Sequence, residues 1–317
     1  NGNWNYRRSR RDGWWTGGPM TYQKSQIPVH GGELTVGVWG ASDSQMTILA
    51  PHGITANHTC WQPLSEALPD ARIIAPDLRG RGGSNGLGEP FGLLQHAKDM
   101  LATLDYFEVE KALVIGHSMG AFVSVRFAAN FPDRVTALLL VDGGLPLKKP
   151  TGVATDDLVS ATLGPAAERL ARVFESRGEY QEFWKEHPAF SSDFNKYVSA
   201  YVDYDLTEVE QGFKPSGRIE SVEADIRELF GEEQYLHEMQ LITQPVTFMR
   251  APRGLLDDEP LYSVDLTEHH SDLIENLTVQ HLQDFNHYTI VLSESGSQLV
   301  ADQVHEIYSK QVSQETR

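Results

Sequence analysis

The stretch "ALVIGHSMGAFVSVRFAANF", Ala112 to Phe131, restricts the fold more than any other part of the chain. Ala112 to Ile115 is a short apolar run of the kind that forms a buried strand, and Met119 to Ala129 carries a helical pattern. Between them stand Gly116, His117, Ser118, Met119 and Gly120, so the chain must pass from strand to helix in one sharp turn with a serine at its apex. Small residues two before and two after that serine permit such a turn. The same Gly-x-Ser-x-Gly pattern recurs at Gly82 to Gly86, but there a charged loop precedes Ser84 and "LGEP" follows, which makes Ser84 a loop serine.

The rest of the chain repeats the strand-to-helix rhythm. Further strands are expected at Leu34–Trp39, Met46–Ala50, Ala71–Ala75, Val135–Val141, Val246–Met249 and Leu277–Leu282, and helices at His58–Leu68, Leu93–Phe107 and Gln298–Lys310. This alternation predicts an α/β protein with a mostly parallel central sheet and helices on both faces. The interval 148–241 breaks the rhythm. It is helical in pattern and rich in rings (Phe174, Tyr180, Phe183, Trp184, Phe190, Phe194, Tyr197, Tyr201, Tyr204), and is expected to be an inserted helical cap or a satellite core. The domain reading is therefore an N-terminal arm at 1–25, a core at 26–147 and 242–317, and a cap at 148–241. The arm contains Trp4, Trp14 and Trp15, expected to pack on the surface, and its twin arginines are followed by no apolar segment of the kind an export signal needs.

Composition narrows the partners. With 26 basic and 44 acidic residues in 317, the formal net charge is −18, which repels phosphate backbones and anionic lipid alike, so neither nucleic acid nor a membrane is expected as a partner. Cys60 is the single cysteine, so no intrachain disulfide can form, and a reducing cytoplasm is the expected compartment. Oligomeric state is not legible. His269 and His270 are adjacent and lack a third ligand at a suitable spacing, and "HEMQL" at His237 lacks a second histidine, so no metal is expected. No other cofactor is called for.

A serine at the carboxyl end of a central strand, with the first amides of a helix beside it, is placed for nucleophilic chemistry, because those amides favour developing negative charge. The Met119 N–H is one expected oxyanion donor. "ILAPHGITAN" supplies a second, the Ile54 N–H, with His52 and Gly53 letting the backbone approach.

These residues, with "DLRGRGGS" from Asp77 to Ser84 and "DFNHYTI" from Asp284 to Ile290, resemble the α/β-hydrolase superfamily over about residues 26 to 310, and they occur in that superfamily's order. The resemblance implies that His287, past the last strand, is the base that activates Ser118. It also implies an acid, commonly after the strand that corresponds to Val246–Met249, where the count falls on Gly254. Asp257 could serve if that loop bulges. Asp142 is the preferred choice: it ends the apolar strand Val135–Val141 next to the nucleophile's strand, some relatives place their acid there, and a carboxylate buried in that position requires a partner. The expected protein is a cap-bearing serine hydrolase of the esterase or lactonase type, cleaving a small apolar or aromatic ester or lactone through an acyl-enzyme. Carbon–carbon hydrolysis of a ring-cleavage diketone is the alternative reaction, and a catalytically silent small-molecule-binding protein on the same fold is the non-enzymatic alternative.

Overall fold

The structure, a computed structural model, describes residues 22–154 and 157–315; most of the expected arm, with its three tryptophans, lies outside them. Ten strands form: β1 (Tyr22–Val29), β2 (Gly32–Trp39), β3 (Met46–Leu49), β4 (Ala71–Pro76), β5 (Ala112–His117), β6 (Val135–Val141), β7 (Leu206–Val209), β8 (Gly212–Pro215), β9 (Val246–Arg250) and β10 (Leu277–His281). Eight of them make one sheet in the order β1-β2-β4-β3-β5-β6-β9-β10. The β1–β2 hairpin and the β2–β4 pair are antiparallel, and every pairing from β4 to β10 is parallel. The expected strands are all present. β1 begins at Tyr22, so residues 22–25, assigned to the arm from sequence, belong to the sheet.

The buried strands explain the layering. Every residue of β4, β5 and β9 is buried, as a parallel sheet covered on both faces requires. Along β5, Leu113 and Ile115 pack with Trp61, Leu64, Val300 and Val304 on one face, whereas Val114 packs with Met100, Phe122 and Val125 on the other. The first face is covered by the helices Gln62–Ala67 and Glu294–Glu315, the second by Leu93–Tyr106 and Met119–Asn130.

Between β6 and β9 the chain forms the inserted segment, with helices at Leu158–Leu163, Pro165–Ala171, Arg177–Lys185, Lys196–Tyr204 and Ile219–Ile226, and the β7–β8 hairpin. Its rings mainly pack on one another: Phe174 and Tyr180 are 4.7 Å apart between centroids, Trp184 and Phe190 5.5 Å. The last helix of the interval, Glu233–Gln240, instead lies against Met119–Asn130, with Tyr235 5.5 Å from Phe122 and Glu238 paired with Arg126.

The two Gly-x-Ser-x-Gly matches differ sharply in backbone environment. A Cβ on Gly120 would sit 2.2 Å from the Pro51 carbonyl oxygen, whereas one on Gly86 would meet nothing within 4 Å. Gly120→Ala is therefore expected to cost about 2 kcal/mol or more, in the range of overpacked cores, and Gly86→Ala less than about 0.5 kcal/mol. Urea unfolding of the two variants checks this, and equal midpoints would show that the turn accepts a side chain.

Candidate active site

Ser118 sits at the end of β5 with φ 55° and ψ −125°, a conformation rarely adopted by a residue with a side chain. Its neighbours hold it there. The Ser118 N–H donates to the Val141 carbonyl at 3.0 Å, and the Ser118 carbonyl accepts from the Ala121 N–H at 3.0 Å. Gly143 must be glycine for the same reason: its Cβ would fall 2.1 Å from the Ser118 carbonyl oxygen. Gly53 passes on the other side, its missing Cβ 3.2 Å from Ser118 Cβ and 3.6 Å from Ser118 Oγ.

His287 and Asp142 meet across 145 residues of sequence. The ring Nδ1–H donates to Asp142 Oδ2 at 2.7 Å, which leaves Nε2 as the unprotonated nitrogen of the neutral ring. Asp142 is fully buried, and its other oxygen accepts from the Ala251 N–H at 3.0 Å, so both carboxylate oxygens are engaged. Its own backbone, with φ 46°, makes the turn out of β6. His117, inside the serine motif, adds a contact not foreseen in the sequence. Its Nε2–H donates to the His287 carbonyl at 2.7 Å and the two rings lie 4.7 Å apart. Burial, reinforced by the nearby His287, pushes the His117 pKa well below its ordinary value, so this imidazole stays neutral.

The Met119 and Ile54 amides, the expected oxyanion donors, donate to no group among the described residues. The turn carrying Ile54 is fixed by two side chains. His52 Nδ1–H donates to the Gly53 carbonyl at 2.8 Å, and its Nε2 accepts from the Leu78 N–H at 2.9 Å. Arg81 donates through Nε to the Ile54 carbonyl at 2.9 Å and pairs with buried Asp225 of the inserted segment at 2.6 Å. The sequence offered a signal for Arg81, since it lies in "DLRGRGGS", but its partners are 27 residues upstream and far downstream.

The loop after β9 places its acids elsewhere. A side chain at Gly254 would meet the Glu259 carbonyl oxygen at 2.2 Å, so that slot cannot carry a carboxylate. Asp257 accepts from Arg253 Nε at 2.7 Å and from Asn286 Nδ2 at 2.9 Å; it holds the residue before His287 and not the ring itself. Ser84 is also committed, its Oγ accepting from the Thr35 N–H at 2.9 Å. Among the described residues no group of three or more His, Cys, Asp or Glu is arranged to hold a metal, and no helix is long and apolar enough to cross a membrane. Cys60 is free and buried.

Ser118, His117 and His287 line one cavity of about 240 Å³ between the sheet edge and the inserted segment. Its wall is mostly apolar, with Ile54, Leu147, Leu163, Leu229, Leu255, Leu261, Val291 and Leu292 among the lining residues, and no carboxylate lines it among the described residues. Of the rings singled out in the inserted segment, Tyr201 alone reaches this wall, joined by Phe230 and Tyr288 from outside that set.

A serine on a strained turn with a carboxylate-bound histidine in the same cavity is the arrangement of an α/β-hydrolase site. The chain belongs to that family: the model of the alpha/beta hydrolase fold matches residues 47–299. Among curated relatives, it is 36% identical over 100 residues to lipase LipV of Mycobacterium tuberculosis, covering 32% of this chain and 38% of that protein. It is 31% identical over 129 residues to a 3-hydroxybutyrate-oligomer hydrolase of Cupriavidus necator, covering 40% and 43%. The chain thus spans less than half the length of these two relatives. Among solved structures, E-2-(acetamidomethylene)succinate hydrolase superposes with a TM-score of 0.75 at 20% identity, covering 91% of this chain and 99% of the other, which supports the fold.

Two outcomes follow from this geometry. Asp142→Asn, whose oxygen stays on the Ala251 N–H and whose NH2 then turns a donor towards His287 Nδ1 and favours the other tautomer, is expected to lower kcat about 10³- to 10⁴-fold, and Asp257→Asn about 10-fold or less because it acts only on the loop; steady-state rates of the folded variants decide between them, and a larger loss in Asp257→Asn would reassign the acid. The second concerns pH. Burial lowers the His52 pKa to about 3, whereas the unfolded chain takes up that proton near its ordinary value of 6.5. The stability that this neutral imidazole contributes is thus fully present above pH 6.5 and is lost as the pH falls towards 3, by about 1.4 kcal/mol per unit. Urea unfolding at pH 7 and pH 5 should differ by about 2 kcal/mol from this residue alone, and a flat profile would contradict a neutral, buried His52.

Proposed function

We propose that the protein is a serine hydrolase that cleaves a carboxylic ester or lactone of a small, largely apolar substrate through an acyl-enzyme intermediate. The observation that carries this reading is the 2.7 Å hydrogen bond from His287 to buried Asp142 with Ser118 on the wall of the same cavity. Ser118 Oγ attacks the acyl carbon while His287 Nε2 takes its proton, and Asp142 stabilises the imidazolium so formed. The Met119 and Ile54 amides, which have no acceptor among the described residues, receive the negative oxygen of the tetrahedral intermediate. His287 then returns the proton to the leaving alcohol, and a water activated by the same nitrogen releases the acid and frees Ser118. In a lactone the alcohol and acid remain one molecule.

The inserted segment acts as a cap in this reading, since it contributes Thr162, Leu163, Ala166, Tyr201 and Leu229 to the cavity wall. Two of the curated relatives, a lipase and an oligomer hydrolase, carry names that agree with ester chemistry, while others are named a carbamate hydrolase and a synthase. The rings of the segment no longer argue for an aromatic substrate, because they are spent on packing against each other.

A fluorophosphonate probe tests the proposal. One equivalent should label the native protein, and Ser118→Ala should abolish both labelling and hydrolysis of p-nitrophenyl esters screened beside lactones and an aryl diketone. Absence of labelling in the folded protein, or label on another residue, would defeat it. Turnover of the diketone in preference to every ester and lactone would move the assignment to carbon–carbon hydrolysis.

A further inference from the structure

Seven tyrosine hydroxyls in the described chain have protein partners. Tyr22 bonds with His58, Tyr180 with Asp205, Tyr197 with Glu66, Tyr204 with Asp77, Tyr235 with the Gly144 carbonyl, Tyr262 with the Leu145 carbonyl and Tyr308 with the Thr47 carbonyl. Tyr201 and Tyr288 are different. They are only 3% and 8% exposed, both line the cavity that holds Ser118 and His287, and neither hydroxyl has a hydrogen-bond partner among the described residues. Neither hydroxyl is among the fully buried unpartnered polar atoms, so both open onto the cavity, and an occupant that displaces water from them must offer an acceptor or leave them unbonded. The two lie in one electrostatic neighbourhood with the buried Arg169, whose charge bears on both, and burial keeps both phenols protonated.

The chemistry of the occupant follows from the charges. Arg169 is already matched by Asp205 at 2.5 Å, and it also bonds Tyr180, so no unbalanced cation stands behind the phenols. The one lysine on the cavity wall, Lys148, is exposed at the surface. A carboxylate would enter without a buried counter-charge, and a purely hydrocarbon group would leave both hydroxyls unbonded. A neutral oxygen acceptor satisfies both conditions.

We propose that Tyr201 and Tyr288 form an oxygen-binding subsite in the cavity, selecting substrates that carry a carbonyl or ether oxygen in addition to the scissile ester. The proposal rests on the acyl-enzyme reading of Ser118 for its kinetic test, and on binding alone for a second one. Most of the remaining wall is apolar, with Thr55 and Thr162 its other hydroxyl-bearing members beside Ser118, so an oxygen that faced the aliphatic part would be disfavoured relative to a methylene.

Two near-isosteric pairs provide the test: ethyl 5-oxohexanoate against ethyl hexanoate, and 5-oxohexyl acetate against hexyl acetate. In at least one pair the wild-type kcat/KM should favour the oxo compound by about 10-fold or more, as a site built to bond an oxygen rejects the analogue without it. The Tyr201→Phe/Tyr288→Phe variant should bring that ratio to one or invert it. Equal ratios in wild type and double variant in both pairs would overturn the proposal. Because the hydroxyls have no partner among the described residues, the double variant should melt at or above the wild-type temperature, in contrast with Tyr180→Phe; a marked destabilisation would show that the protein itself uses these hydroxyls and would also overturn it. If the hydrolase reading fails on labelling, calorimetry on Ser118→Ala decides the subsite separately. Tighter binding of 4-phenylbutan-2-one than of butylbenzene, lost in the double variant, supports it, and ketone binding unchanged by removal of both hydroxyls defeats it.

Discussion

The turn at Ser118 is the constraint around which the carboxyl edge of the sheet is built. Its backbone occupies a region that costs on the order of 1–3 kcal/mol, and it persists because two neighbouring loops and the first turn of the following helix approach with no side chain between them. Gly53 passes the serine side chain, Gly143 backs onto the serine carbonyl, and Gly120 rests on the Pro51 carbonyl. The helix that follows offsets the strain. Phe122, Val125 and Phe127 are almost completely buried against the sheet, and each is worth about 1.5–3 kcal/mol relative to exposure. Order at the turn therefore derives from the core beneath it, and the loops that carry His52, Ile54 and Asp142 are placed by contact with it.

A second set of constraints ties the inserted segment to this edge. In a chain of net charge −18, six arginines are nonetheless buried among the described residues, and three of them each meet one buried carboxylate: Arg79 with Asp99, Arg81 with Asp225 and Arg169 with Asp205. Buried pairs of this kind contribute little net stability, because desolvation offsets their attraction, but removing one partner is expensive. Their effect here is on register. Arg81 joins the insertion, through Asp225, to the Ile54 carbonyl, and Arg169 reaches from the insertion to the Thr55 carbonyl at 3.4 Å. Asp77 closes the same junction from below. Burial alone would raise its pKa, but the charge and hydrogen bond of His58 outweigh that and hold it at about 2, while Tyr204 of the insertion donates to its second oxygen at 2.7 Å. The wall of the cavity is thus positioned by the same residues that fix the turn carrying Ile54.

The sheet was legible in the sequence because its central strands are unbroken apolar runs bounded by turns, and the two-faced burial of β5 follows directly from such a run. β1 was not legible: "YQKSQIPV" is an edge strand with one face in solvent, and its mixed polarity resembles a loop. The Asp142–His287 contact was accessible from sequence because a carboxylate that ends an otherwise apolar strand must find a partner. The roles of Arg169 and His117 were not, since each acts through a backbone carbonyl that no side-chain pattern marks, and for Arg81 the motif marked the residue but not its partners. The ring-rich interval misled as a guide to the cavity for a related reason. Composition counts rings but does not say whether they face a ligand or each other, and here Phe174, Tyr180, Phe183, Trp184 and Phe190 pack on one another and continue the core on that face of the sheet, whereas Tyr201 lines the cavity.

The two loops that compete for the acid divide the work on His287 in a way neither could do alone. Asp142 lies where water cannot reach, one oxygen on the imidazole and the other on the Ala251 amide, so the ring's orientation is set by a carboxylate with no freedom to turn away. Asp257 is partly exposed and shares its charge with Arg253, which would weaken any hold on an imidazole, yet it is well suited to clamp the Asn286 amide. Asn286 in turn accepts from the Tyr288 and Thr289 amides at 3.0 and 2.9 Å, shaping the backbone on the far side of the histidine. His117 takes the remaining degree of freedom by binding the His287 carbonyl. With ring, preceding residue and carbonyl each held from a different strand end, the loop after β9 is released from supplying a carboxylate to the imidazole, and Gly254 can close tightly on Glu259 where an acid would otherwise have to stand.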